Sequence, residues 1–232
     1  MGDIDFSDSF FDVFSTEYED VSGYWVVEGD ANTDFTGGSG EEQAITEDVW
    51  LSTTGDDSSS GLSESEAFLT LNRALSLIYP TLESPVTINI AEGTYSSSTT
   101  GWSFPIFLID NINLVGAGED LTIIDAELTS SVLVFYNQDN ISISDLTITG
   151  GAASWTGGIN FFRSDIAMTQ VTISNSESYT SGLHMLYSNP TLTDVTVNDN
   201  NGGGIVLISS NPTMTNMTIS GNNSSSYGGG IQ

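Results

Sequence analysis

Internal repeats constrain the fold of this chain more than any other feature. Four related blocks begin at Asn140, Ser164, Asn189 and Asn211. One threonine recurs in them at steps of 25, 24 and 22 residues, and a glycine followed by Ile or Leu recurs at steps of 24, 22 and 26. These residues are Thr147, Thr172, Thr196 and Thr218, and Gly158, Gly182, Gly204 and Gly230. Repeats of about 20–50 residues are typical of solenoids, in which each unit packs against its neighbours.

Each repeat is predicted to hold three short strands. Alternation points Ile205 and Leu207 inward from the first strand, and Val195 and Val197 inward from the third. A polar residue that tolerates left-handed backbone angles lies between the second and third strands of every block. These residues are Asp145, Gln170, Asp194 and Asn216. Stacked at about 4.8 Å, they would form a ladder at a tight bend, which favours a parallel β-helix.

Residues 49–110 are predicted to start the solenoid, with an amphipathic capping helix at about 64–79. Ser63 and Glu66 form the S-x-x-E pattern of a capping box. Apolar residues then recur on one helical face until Pro80 ends the run. The apolar residues of this face are Phe68, Leu71, Leu75 and Ile78.

Three segments, together with the repeats, carry a resemblance to a known family. They read GDDSSSGLSESEAFLTLNRAL from Gly55, INIAEGTYS from Ile88 and INLVGAGEDLTIIDA from Ile112. With the repeats they cover residues 49–232, and they resemble right-handed parallel β-helix proteins of the pectin-lyase-like superfamily. The resemblance implies an all-β, right-handed parallel β-helix with coils over residues 111–232 and a helix that plugs the N-terminal end. It specifies a fold and not a chemistry.

The two ends of the sequence differ from the repeats. Residues 1–48 are acidic and aromatic, and are predicted to form either an arm packed along the solenoid or a flexible tether. At the other end, residues 228–232 stop just as a new first strand begins. Solenoids need caps to shield their cores. The sequence therefore predicts truncation of a longer protein, or self-association through an open final coil.

Composition excludes several classes of function. The chain has 31 acidic and two basic residues, which give a formal net charge of -29. Nucleic-acid binding is excluded because it needs clustered Lys and Arg. The chain has no cysteine, which removes disulfides and thiolate chemistry, and no apolar run approaches the roughly 20 residues of a membrane helix. No cofactor is required, and a secreted or cell-surface location is expected, with the export signal missing from this sequence.

Few residues are candidates for catalysis. Polysaccharide lyases of the resembled fold use a basic residue, and here only Arg163 can serve. Asp165 lies close to it in sequence, which favours a surface ion pair instead. The segments that glycoside hydrolases of this fold share, Gly-His-Gly and Arg-x-Lys, are missing. His184 is predicted to point outward as a solvated residue, stacked between Asn160 and Val206. No catalytic residue is assigned.

Aromatic residues in corresponding loops favour contact with a polysaccharide or cell-surface glycan. Sugar binding needs an aromatic face and neighbouring hydrogen-bonding groups. The alternative is that these loop tips pack onto the solenoid wall. The candidate ligand-binding residues are Trp155, Asn160, Arg163, Tyr179, His184, Tyr187 and Tyr227.

Calcium and ice are two further candidate ligands. Asp56 and Asp57 are the candidate Ca²⁺ ligands because hard cations prefer oxygen, although a solvated acidic surface is the favoured explanation for them. The regular spacing of the threonines makes ice a further candidate ligand. Asp194 and Asn216 interrupt any broad flat wall and argue against it.

The sequence favours a rigid β-helix module for adhesion or carbohydrate contact that is not itself an enzyme. The first alternative is the N-terminal part of a polysaccharide lyase or glycoside hydrolase. The second is a structural subunit that assembles through its open end or its N-terminal arm.

Overall fold

A computed structural model describes residues 18–21, 24–27, 44–224 and 228–232. The chain divides into two compact units, Met1–Glu42 and Gln43–Gln232. In the first unit, Tyr18–Val21 (β1) and Tyr24–Val27 (β2) form an antiparallel pair. Most of the predicted N-terminal arm lies outside the described residues, so its packing stays a prediction.

The second unit is almost entirely β-structure. Within the described ranges it has one α-helix, Leu71–Leu77 (α1), and one 3-10 turn, Glu64–Glu66. Its strands are Val49–Leu51 (β3), Val86–Ile90 (β4), Gly93–Ser96 (β5), Ile112–Val115 (β6), Thr122–Asp125 (β7), Leu133–Tyr136 (β8), Asp139–Thr149 (β9), Ala152–Ala153 (β10), Thr156–Phe162 (β11), Asp165–Ser174 (β12), Glu177–Ser178 (β13), Ser181–Leu186 (β14), Thr191–Asn198 (β15), Ile205–Ile208 (β16), Thr213–Thr215 (β17) and Thr218–Ser220 (β18).

Strands of successive coils pair in parallel and build two walls. One wall is a four-stranded sheet in the order β16-β14-β11-β8. The larger wall has the order β17-β15-β12-β9-β6-β4-β3, with β5, β7 and β18 paired beside this path. The result is a right-handed parallel β-helix of about five turns, as predicted.

The long strands bend at the predicted polar positions. The φ angle is 60° at Asp145 and 53° at Gln170, Asp194 and Asn216. Asn216 Nδ2 donates to Asp194 Oδ1 at 3.0 Å, which forms one rung of the predicted ladder. In the last coil this bend separates β17 from β18. Three short strands per coil are therefore confirmed, because each bend divides one long strand into two arms.

The predicted threonine columns are in register. Thr147, Thr172, Thr196 and Thr218 are paired in turn across β9, β12, β15 and β18. Thr193 pairs with Thr215 before the bend. The bend places the two columns on different arms, so they do not form one broad ice-binding wall.

The capping helix is shorter than the predicted range 64–79. The side chain of Ser63 makes no capping hydrogen bond, and a 3-10 turn follows it. Phe68 then leaves the helical path and pairs with β3 through an isolated bridge. This pairing buries Phe68 completely, and its backbone N–H donates to the Trp50 carbonyl while its carbonyl accepts from Ser52 N. The α-helix begins only after Thr70, whose Oγ1 accepts from Arg73 N at 3.1 Å.

The interior of the solenoid is one continuous apolar core. It runs from Val49 to Ile205 and includes Val195 and Val197, as alternation predicts. Leu207 packs partly against it. The helix α1 adds buried side chains at the N-terminal end of the stack. Each coil is therefore stabilised by side chains from the coils on either side.

Some of the recurring glycines mark places where coils approach too closely for a side chain. A Cβ added to Gly158 would lie 2.4 Å from the carbonyl oxygen of Gly182. One added to Gly204 would lie 2.7 Å from that of Gly230. Gly230 itself has no atom within 4 Å of such a Cβ. Gly158 and Gly204 are therefore required for contact between coils, whereas Gly230 is not.

This difference supplies a matched pair of variants. Gly158→Ala is expected to lower the free energy of unfolding by about 1–3 kcal/mol, because the added methyl group displaces the neighbouring backbone. Gly230→Ala is expected to change it by less than about 0.5 kcal/mol. Urea denaturation followed by circular dichroism measures both. Equal losses would contradict the close-approach explanation.

Candidate functional site

The outer face of the four-stranded sheet carries a group of aromatic side chains. Phe161 faces the core, so the next residue, Phe162, points outward. Its ring centroid lies 5.5 Å from that of Tyr136, its register partner on β8, and 6.3 Å from that of Tyr187. Tyr136 and Tyr187 are each more than half exposed. We call Tyr136, Phe162, Arg163 and Tyr187 the aromatic patch.

Arg163 belongs to this patch, and the predicted ion pair with Asp165 is wrong. The guanidinium Cζ lies 5.1 Å from the centroid of the Phe162 ring and 5.9 Å from that of Tyr187. Arg163 has a φ of 51°, and this left-handed turn at the strand end directs its side chain over the rings. Asp165 instead accepts a hydrogen bond from Asn189 N at 2.5 Å. The cation contributes about 0.5–1 kcal/mol at an exposed site of this kind.

His184 has the predicted register but not the predicted exposure. It pairs with Asn160 on one side and Val206 on the other. Although it alternates with the core residues Leu183 and Met185, its side chain is only 7% exposed. Its Nδ1 lies 2.9 Å from Asn160 Oδ1, so the neutral ring donates to this amide. Burial lowers the pKa of His184 below its ordinary value of 6.5.

The lowered pKa of His184 predicts the direction in which stability changes with pH. At a pH between the two pKa values of His184, the unfolded chain binds more protons than the folded chain. The contribution of His184 to the free energy of unfolding is therefore lost as pH falls below about 6.5. His184→Gln removes this contribution and leaves all carboxylates in place. We expect the stability of the wild-type protein relative to His184→Gln to decrease between about pH 8 and about pH 5. Urea titrations of both proteins measure this, and parallel pH curves would contradict it.

The two described loop aromatics lie at the other end of the same strands. Trp155 precedes β11 and is 72% exposed, and Tyr179 precedes β14 and is 73% exposed. Neither ring therefore packs onto the solenoid wall. Pairing of β10 with β13 holds the two loops side by side, and Thr180 Oγ1 donates to the Trp155 carbonyl. About seven residues of strand, roughly 20 Å, separate these rings from the aromatic patch.

The remaining predicted site residues have other settings. Tyr227 lies outside the described residues. Asp57 accepts from Leu69 N and Thr70 N at 2.9 and 2.8 Å, and from Thr70 Oγ1 at 2.7 Å, so its carboxylate holds Thr70, the N-cap residue of α1, in place. Hydrogen bonds from the backbone and the side chain of Ser58 lower the pKa of Asp56. Neither carboxylate belongs to a group of three or more acidic or histidine side chains in the described residues. Calcium binding there stays a prediction.

Sequence reasoning missed Tyr136 and Phe162. A solvated sheet face ordinarily alternates apolar inward and polar outward residues. The outward positions Phe162, Leu186 and Ile208 break this alternation at the same place in three successive coils. That break is the signal which identifies the patch. Tyr136 lies before the first glycine of the repeat series, so the repeats do not identify it. Only the pairing of β8 with β11 shows that it belongs to the aromatic patch.

Neither α1 nor the 3-10 turn has the length or the apolar character needed to cross a bilayer.

Several solved structures share the architecture. Pectate lyase Pel9A matches with a TM-score of 0.50 and 13% identity, over 75% of this chain and 48% of that one. A rhamnogalacturonan lyase matches at 0.47 and 11%, over 80% and 60%. The pectin methylesterase PemA from Erwinia chrysanthemi matches at 0.42 and 17%, over 70% and 56%. This chain thus spans about half of the pectate lyase, and the likeness establishes the fold alone.

The comparisons assign a family without assigning an activity. No curated protein matches the sequence. The model of one protein family matches residues 53–232, which include the strands of the solenoid from β4 onward. The chain therefore belongs to the family described as "Protein of unknown function (DUF1565)", with the pectin-lyase-like β-helix as its fold.

Proposed function

We propose that the outer face of the four-stranded sheet binds a neutral polysaccharide, as a rigid and non-enzymatic module of a secreted or cell-surface protein. The observation that carries this proposal is the aromatic patch. Its rings are in contact on a rigid wall, one pair tilted with centroids 5.5 Å apart and the other edge-on at 6.3 Å, and the two tyrosines remain accessible to solvent. An exposed aromatic surface beside polar groups is the usual way in which proteins hold sugar rings.

The electrostatics of the chain favour an uncharged ligand. A net charge of -29 repels polyuronates, and only two basic residues are available to offset it. The cation of the patch is engaged by two rings and does not form a cluster. Acidic polysaccharides are expected to bind weakly, and only in high salt or with Ca²⁺. Both conditions reduce the electrostatic repulsion between the polymer and the protein.

The architecture supports polysaccharide as the ligand class to test first. The pectate lyase with this fold is named for an extended polymer, and a straight stack of coils offers an extended surface to such a ligand. In this chain the loop aromatics and the aromatic patch lie along one sheet, roughly 20 Å apart. A polysaccharide chain can contact both, whereas a small ligand can contact only one.

Aromatic substitutions test the proposal. Tyr187→Ala and Phe162→Ala are each expected to weaken retention on a neutral polysaccharide by about tenfold, as for a truncated aromatic anchor. Trp155→Ala combined with Tyr179→Ala is expected to weaken it as well. Affinity electrophoresis in gels containing xyloglucan, galactan or β-glucan measures retention. Tyr79→Ala, which alters an exposed aromatic at the end of α1, is the control and should leave retention unchanged.

Polygalacturonate and alginate gels, with and without Ca²⁺, provide the acidic comparison. Stronger retention there than on every neutral polymer would contradict the expected ligand class. Retention unaffected by the patch variants would remove the patch from the site.

Catalysis by Arg163 is the competing outcome. A lyase would release unsaturated products that absorb ultraviolet light, and a hydrolase would release new reducing ends. Either product, lost in Arg163→Gln, would replace the non-enzymatic proposal with a catalytic one.

A further inference from the structure

We infer that a second, separate site for a small neutral sugar lies on the larger wall, in a cleft lined by asparagine amides. The cleft has a volume of about 320 Å³, within the range of about 300–1,000 Å³ that small-molecule sites occupy. Its lining combines amide and hydroxyl groups with an apolar side and includes Leu82, Asn111, Asn113, Asn140, Ile141 and Ser142. We call it the amide cleft.

An unsatisfied polar atom indicates that the amide cleft needs a hydrogen-bond donor. The Oδ1 atom of Asn111 is buried and has no hydrogen-bond partner. Most buried polar atoms in proteins are paired, so an exception requires a cause. Asn111 has a φ of 64°, and this left-handed conformation holds its position at the start of β6. Rotation of the Asn111 side chain would bring Oδ1 to the cleft surface, where a ligand hydroxyl would supply the missing donor.

The other amides provide the complementary groups. Asn113 Oδ1 accepts from Ser142 Oγ at 2.6 Å, which leaves the Asn113 Nδ2 group as a donor. Asn140, with a φ of 57°, adds an exposed amide on the next coil. A hydroxyl group both donates and accepts, so one polyol can satisfy all three amides.

Charge and shape narrow the ligand class. No carboxylate or cation lines the amide cleft, although the chain carries a net charge of -29. Asp110 and Asp139 adjoin Asn111 and Asn140 in sequence, and they disfavour an anion nearby. Leu82 is 71% exposed and provides an apolar wall for the C–H face of a ring. A pyranose ring has this combination of hydroxyl groups and an apolar face.

The site does not depend on the aromatic patch. The patch is on the outer face of the four-stranded sheet, whereas the amide cleft is lined by residues of β6 and β9 on the larger wall. Tyr187→Ala is therefore expected to leave binding in the cleft unchanged.

Ligand-observed NMR with the full chain and the methyl pyranosides of glucose, galactose and mannose tests the inference. We expect saturable binding of at least one of them, weakened at least about tenfold by Asn111→Gly. Glycine keeps the left-handed backbone and removes only the amide. Asn137→Gly is the matched control, because Asn137 has a φ of 52° and does not line the cleft. Leu82→Ser changes an exposed side chain and should also weaken binding.

Charged sugars and longer glycans complete the test. Galacturonate and glucosamine are expected to bind more weakly than the neutral pyranosides, and preferential binding of either would overturn the assigned ligand class. Failure of every neutral pyranoside to saturate, or binding unaffected by Asn111→Gly and Leu82→Ser, would overturn the site. If the matching disaccharide binds more tightly than the methyl pyranoside, the cleft binds the end of a glycan chain. If the two bind equally, the cleft binds a free sugar.

Discussion

Phe161→Ala is expected to lower the free energy of unfolding by about 3–5 kcal/mol. Phe161 is fully buried, and its ring centroid lies 5.2 Å from that of Phe135 on the preceding coil. On the following coil it pairs with Met185. The coils on both sides are held by their own backbone pairing, so they cannot collapse into the space that the ring leaves. The loss therefore includes both the transfer energy of the ring and the cavity.

Urea denaturation followed by circular dichroism, at fixed pH and salt, measures this loss. Phe162→Ala is the matched control, since it removes the same side chain one position along the same strand. Phe162 points outward, so we expect a loss of about 1 kcal/mol there, from its aromatic contacts. Equal losses would show that alternation across β11 does not decide which side chains stabilise the solenoid.

Asn200→Ala is expected to lower the free energy of unfolding by about 3–5 kcal/mol through a different mechanism. Asn200 is almost completely buried. Its Nδ2 donates to the Ile173 carbonyl at 3.1 Å and to Asn222 Oδ1 at 2.9 Å. Its Oδ1 accepts from Ser176 N at 3.0 Å. Alanine would leave three groups without this partner, at a cost of about 1–3 kcal/mol for each one that stays unsatisfied.

The adjacent residue supplies the control for this prediction. Asn201 is exposed, and its hydrogen bonds use the backbone only, so Asn201→Ala should change stability by less than about 0.5 kcal/mol. Asn200→Asp keeps the shape but loses the donor, and its stability is expected to recover at low pH, where a protonated carboxyl can donate. An Asn200→Ala protein as stable as Asn201→Ala would contradict a stabilising role for the buried hydrogen bonds of the Asn200 side chain.

Asn200 also shows where sequence reasoning reached its limit. The segment 198–203 reads as a variable surface loop, because its length and composition differ between repeats. In the structure Asn200 turns inward and joins three coils, and Asn222 repeats the arrangement by donating from Nδ2 to the Val197 carbonyl at 2.8 Å. The spacing of 22 residues between these asparagines matches the repeat length, and it was the signal for their equivalent buried positions in successive coils.

The aromatic patch was only partly predictable. Arg163 and Tyr187 were candidates from sequence, but Phe162 was hidden in a pair of adjacent phenylalanines, one of which faces the core. The identity of the partner of Arg163 depends on a backbone angle at one residue, which sequence patterns do not specify. Contacts between side chains about 24 residues apart need the register of neighbouring coils.

The sequence by itself determined the β-helix, its three strands per coil and its left-handed bends. These follow from local rules that every repeat restates: alternation selects the inward face, and Asn or Asp permits the bend. Only the tertiary structure decided that His184 is buried, that Asp57 holds the N-cap residue of α1 and that the Oδ1 atom of Asn111 lacks a partner. Burial and pairing depend on which coil or loop covers a side chain, and that arrangement exists only after the coils stack.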